Sequence, residues 1–119
     1  MGQFTVKARL ESPTRAGSPQ DAEFLVDTRA AFTWVPEEIA EAAGLVAHDR
    51  IQVRLADGRQ TDCTLAWATM TLESHTDLTL VLIGARHTRP LLGAFTLEGF
   101  RLTVDPTNRR LIPTIPFVA

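Results

Sequence analysis

The stretch Phe24-Leu25-Val26-Asp27-Thr28-Arg29-Ala30-Ala31-Phe32-Thr33 decides how this chain is read. Three apolar residues of strand type run into a carboxylate, and small and hydroxyl residues follow before the chain turns apolar again at Trp34-Val35. An aspartate carried to the end of a buried strand loses hydration, so it must be hydrogen-bonded, paired with another charge or protonated. Those residues fit two descriptions. Asp27 is a working acid held at a strand end, or it belongs to an ordinary turn in which Asp and Thr side chains bond nearby backbone and face water.

Outward from this stretch, short strands dominate. Phe4 to Leu10 alternates apolar and polar residues, as a strand with one wet face does. Ser12 to Pro19 is dense in breakers and forms a loop before a Glu23 to Val26 strand. Pro36 to Gly44 has Pro and acids first, helix formers next and Gly last, which predicts a short helix. Ile51 to Leu55 alternates again, and Ala56-Asp57-Gly58-Arg59 supplies Asp-Gly, a strong hairpin signal. The second arm runs from Gln60 to Leu72, with Cys63, Leu65 and Trp67 on one face and Thr64, Ala66, Ala68 and Met70 on the other. Asp77 to Ile83 is apolar enough to be a central strand, and Gly84 to Pro90 is a polar, basic connection. Ala94 to Gly99 is expected to form a helix packing Phe95 and Leu97 inward. Arg101 to Asp105 and Arg109 to Ile112 then make two strands about Pro106-Thr107-Asn108, with Asp105 capping that turn. The predicted fold is all-β with two short helices: a small closed or partly closed barrel of hairpins, without repeats or low-complexity tracts.

With 119 residues and 45% hydrophobic content, the chain fits one domain with a modest core. A net charge of -2 gives no general pull toward nucleic acid or anionic membrane, although eleven of its twelve basic residues are Arg. Cys63 is the only cysteine, which excludes an internal disulfide and a metal site with several Cys ligands in one chain. His48 and His75 are expected in polar turns and His87 in a solvated loop, without metal-ligand spacing, and no nucleophile motif accompanies His87. Neither a metal nor a cofactor is therefore expected. Met1 to Leu10 lacks the apolar core of a secretory signal, no segment approaches the roughly 18 apolar residues of a membrane span, and Val6 breaks the myristoylation pattern. The expected location is the cytoplasm.

Leu25-Val26-Asp27-Thr28-Arg29-Ala30, with Thr33 and Val35-Pro36 in register, resembles the active-site loop of the retropepsin-like aspartic proteases. That loop reads as two apolar residues, Asp, Thr or Ser, Gly, Ala and, a little later, a hydroxyl residue. A second family block, apolar-apolar-Gly followed by a short helix, is matched by Leu91-Leu92-Gly93 and Ala94 to Phe100. Leu102 to Pro113 continues in the manner of small bacterial members, so the resemblance spans Phe4 to Pro113 and implies one retropepsin-like domain over residues 1–119.

The resemblance further implies an aspartic endopeptidase. Such a site needs two carboxylates, one ionised to take a proton from water and one to donate a proton to the scissile carbonyl. This chain offers one, and in the family a two-fold homodimer supplies the other by bringing Asp27 of each subunit to the axis. Two carboxylates about 3 Å apart hold one proton between them and titrate as a unit. By the same resemblance Thr28 hydrogen-bonds across the axis, Ala30 gives room for close backbone packing, and Ala56, Asp57, Gly58 and Arg59 form a flap over a peptide or protein substrate. Without the resemblance the same hairpin is a plain surface feature. Ile115, Phe117 and Val118 are expected to add an intersubunit strand. Arg29 departs from the family, which has Gly there: Arg disfavours positive φ, and its guanidinium favours a doubly ionised pair of carboxylates. Two function classes follow, an acid endopeptidase and a weakened or inactive peptide-binding or dimerisation domain that uses the same cleft.

Overall fold

A computed structural model describes residues 3–115. The alternating N-terminal segment forms β1 (Thr5–Glu11), which pairs antiparallel with β2 (Gln20–Val26) and turns Ala8 and Leu10 into the core. Beyond Val26 the Asp27 loop leads into β3 (Thr33–Pro36) and then α1 (Glu37–Ala43), whose first-turn acids Glu37 and Glu38 suit the positive end of its dipole. Arg86 bridges Glu37 and Glu41, and the His87 N–H donates to Glu38, which ties α1 to the connection after β6.

The hairpin consists of β4 (Ala47–Arg54) and β5 (Gln60–Leu72), and β5 runs on into β6 (His75–Gly84) through a tight turn. β7 (Leu91–Leu92) lies parallel to β2 and antiparallel to β3, followed by α2 (Ala94–Gly99) and the hairpin β8 (Leu102–Asp105) and β9 (Arg110–Pro113). The main sheet is ordered β1-β2-β7-β3-β6-β5-β4, and β1 also pairs with β5. One edge of β5 serves two partners in turn. Gln60 to Ala66 pairs with β4, whereas Thr69 to Thr71 pairs with β1.

Phe24, Leu10, Met70, Leu72, Leu92, Val35 and Val81 are fully buried in one cluster. Each side chain of this size contributes roughly 1.5–3 kcal/mol when removed from water. Three expectations need correction. Leu97 faces inward, but Phe95 is 40% exposed, because its turn of α2 lies over Phe32 at 5.9 Å between ring centroids and not over the core. β4 begins at Ala47 instead of Ile51, so His48 sits on a strand, where it stacks on Trp67 at 6.1 Å. His75 opens β6 and meets the edge of the Phe100 ring. Of the apolar tail, Ile115 is 94% exposed, while Phe117 and Val118 lie outside the described residues.

Candidate active site

Asp27 is placed by backbone on both sides. Leu25 donates its N–H to Pro90 O and Asp27 donates its N–H to Leu92 O, each at 3.0 Å, which continues the parallel ladder of β2 with β7. The chain then turns: Asp27 O accepts from Ala30 N–H at 3.1 Å, and Asp27 Oδ1 accepts from Arg29 N–H at 3.0 Å. The turn drawn from the sequence is therefore present, with one carboxylate oxygen ordering it, and the side chain keeps 27% of its surface exposed. Among the described residues no hydrogen bond reaches Oδ2. Arg29 is not among the residues with positive φ, so the loop accommodates it without backbone strain. Its side chain is 89% exposed and its Nε lies 3.6 Å from Asp27 Oδ1.

The second motif holds this loop from below. α2 has no side-chain cap at its start, and its first N–H groups find the loop instead: Ala94 N–H donates to Ala30 O at 2.8 Å and Phe95 N–H to Ala31 O at 2.9 Å. Gly93 is where the two segments meet. A Cβ there would lie 2.4 Å from Phe32 O and 2.9 Å from Ala30 O, so only glycine lets the backbones approach. Gly93 N–H donates to Thr33 Oγ1 at 3.1 Å, and Thr33 shares a buried hydroxyl chain with Thr96 (2.6 Å), which in turn bonds Thr79 (2.8 Å). Thr33 lies in the first motif, but Thr79 and Thr96 were not foreseen. Isolated threonines in a strand and a helix carry no sequence sign that they converge.

Above Asp27 is a cleft of 620 Å3. The loop residues Asp27, Arg29, Ala30, Ala31 and Phe32 make its floor, Trp34, Leu82 and Leu91 its wall, and β4 with Leu55 and Ala56 its roof. A second hollow of 810 Å3 adjoins it through Trp34, Leu55 and Leu91, and is lined by Arg59 and Cys63 among others. Half-buried Ile51 and Val53 of β4 and Leu55 just beyond it line the cleft, together with exposed Gln52 and Arg54. At the tip Leu55 N–H donates to Arg59 O at 2.7 Å and Gly58 adopts φ 89°, the left-handed conformation that the Asp-Gly turn requires. Asp57 is bonded by the Arg59 backbone N–H and by its guanidinium, which together hold its carboxyl below the usual range. Asp57 and Gly58 form the exposed turn itself and do not line the cleft, and Thr28 is likewise exposed beside it.

No protein-family model matches this chain, and no curated protein matches it. Among solved structures, the solution structure of the simian foamy virus (mac) protease matches with a TM-score of 0.57 at 14% sequence identity, over 82% of this chain and 94% of that chain. The fold is retropepsin-like. At such low identity the match follows the chain path, and the roles of individual residues rest on the geometry above.

In this retropepsin-like frame the hairpin is a roof held at one end. The expected result is fast hydrogen exchange at Leu55 to Gln60 in the free protein and slower exchange with saturating peptide. Exchange that does not change would remove the roof from the binding site. The remaining titratable residues lie elsewhere. Burial pushes the Cys63 thiol up, so it is a poor nucleophile. Asp105 accepts from Asn108 Nδ2 at 2.8 Å, which lowers its carboxyl and makes it the turn-capping group. Among the described residues no group of three His, Cys, Asp or Glu side chains converges as metal ligands would.

Proposed function

We propose that the chain is one subunit of an aspartic-type endopeptidase, with Asp27 meeting Asp27 of a second copy across a two-fold axis. The observation that carries this is the position of Asp27: it ends a buried strand at the floor of a roofed cleft, with a partly exposed carboxylate, on a retropepsin-like chain path. One of the paired carboxylates takes a proton from the attacking water while its protonated neighbour donates to the scissile carbonyl, and the roles exchange as the tetrahedral intermediate collapses. Thr28, exposed next to the catalytic residue, is the group that crosses the axis. The test is cleavage of a denatured protein between about pH 4 and 7, where a dyad of this kind holds a single proton. Cleavage must depend on Asp27.

A specific contact favours a second proposal. The guanidinium of Arg29 lies 3.6 Å from Asp27 Oδ1, a bulky cation where the family has glycine and where a second carboxylate and the attacking water would have to approach. A peptide-binding domain with weak or no hydrolysis would have this arrangement.

Assembly is tested separately. Sedimentation at tens of micromolar is expected to show a dimer, since even a roughly micromolar dissociation constant leaves most subunits paired at that concentration. A monomer throughout would remove the shared dyad.

A further inference from the structure

The cleft over Asp27 has a charge unlike that of the whole chain. Only three of its lining residues are charged, Asp27, Arg29 and Arg54, so its local balance is +1 while the chain as a whole carries -2. The nearby Arg59 is already neutralised by Asp57 at 2.7 Å. Arg54, by contrast, donates only to the Gly58 carbonyl at 3.3 Å, and among the described residues no carboxylate forms an ion pair with it. Arg29 presents 89% of its side chain to solvent and touches Asp27 only at 3.6 Å. Phe32, Ile51, Val53, Leu82 and Leu91 give the same cleft an apolar lining.

We infer that this cleft selects peptide segments in which apolar residues are flanked by Asp or Glu, with Arg29 and Arg54 as the residues that determine specificity. The inference rests on the proposed peptide site and names its substrate class. Apolar side chains fill the floor, and acidic ones meet guanidiniums that a carboxylate engages in two parallel hydrogen bonds. Pairing two subunits would strengthen the effect: a dyad holding one proton contributes -1 and four guanidiniums contribute +4, a balance of +3 around one bound peptide. A cleft walled by apolar groups concentrates such a field and raises the local concentration of acidic segments. On this basis Arg29 has exchanged the family glycine for recognition of a negative side chain.

The experiment uses full-length Asp27→Asn protein, which holds peptides without cutting them, and fluorescent peptides that share one apolar core flanked by Glu, Gln or Lys. Binding measured by anisotropy is expected to fall from Glu to Gln to Lys, by about fivefold for each acidic residue replaced, the factor that accompanies ~1 kcal/mol. The preference should shrink as salt rises from about 0.05 M to about 0.5 M, which shortens the reach of exposed charges. It should disappear when Arg29→Gln and Arg54→Gln are added. Equal binding of the Glu and Gln peptides, a preference that survives both Gln substitutions, or no binding of the Glu peptide each overturns the inference. The endopeptidase proposal fails by a different result. If the native protein cuts nothing while the Glu preference and its loss are observed, specificity stands and catalysis does not. If cutting depends on Asp27 but ignores flanking charge, catalysis stands and specificity does not.

Discussion

Asp27→Asn is expected to abolish peptide cleavage, with kcat/KM falling by at least ~10²- to 10⁴-fold, the contribution typical of a positioned general acid or base. The amide is nearly the same size and still accepts the Arg29 N–H through its oxygen, so the turn survives. What it cannot do is take the proton that the attacking water must lose. Arg29→Gly is the companion experiment. It removes the guanidinium 3.6 Å from the carboxylate, which should raise the rate on uncharged peptides while erasing any advantage of acidic ones. If neither the native protein nor Arg29→Gly shows activity that Asp27→Asn abolishes, the chain is not a peptidase and the cleft at most binds.

Gly93→Ala should destabilise the protein strongly. The new Cβ would stand 2.4 Å from Phe32 O and 2.5 Å from Phe32 C, atoms of backbone that no rotamer change can move. Relief requires separating the Asp27 loop from α2, which breaks the Ala94 to Ala30 and Phe95 to Ala31 hydrogen bonds and strands buried hydroxyls. A loss above ~3 kcal/mol is expected, in the class of strained or overpacked sites. Gly99→Ala is the control, because its Cβ would meet nothing within 4 Å at the end of α2, and it should change stability by less than ~1 kcal/mol. Urea unfolding midpoints decide: equal midpoints for the two variants would show that the close approach at Gly93 is not needed.

How far the sequence reveals this structure depends on the range over which each signal acts. β1, β5, α1 and the Asp-Gly turn were legible because alternation, helix composition and turn chemistry are local. β3 was not, since Thr33-Trp34-Val35-Pro36 is buried or half-buried on both faces, lacks alternation and ends in Pro. The polar start of β4 was hidden by its exposed residues and by a register shift between Ala47 and Asp49. Phe95 was misplaced because six residues make too short a helix for periodicity to fix its buried side. At the site, Asp27, Thr33 and Gly93 were visible through their motifs. Arg54 had no motif: only the tertiary position of β4 brings it to the cleft lining, and its lack of an ion pair among the described residues makes it a candidate for recognition.

The change of partner along β5 has a consequence for how this protein can diversify. From Thr69 to Thr71 the strand is clasped by β1 as part of the framework, whereas from Gln60 to Ala66 the same edge carries β4 and the roof. Substitutions at Ile51, Val53, Arg54 or Leu55 alter what the cleft accepts, yet none of these residues belongs to the main buried cluster around Phe24 and Met70. Ile51 and Val53 pack against the smaller cluster of Cys63, Leu65 and Leu82, so exposed Arg54 is the position where change draws least on the stability margin. The end of β5 clasped by β1 keeps the protein folded, and the end that carries β4 leaves the exposed positions of the roof open to change for new ligands.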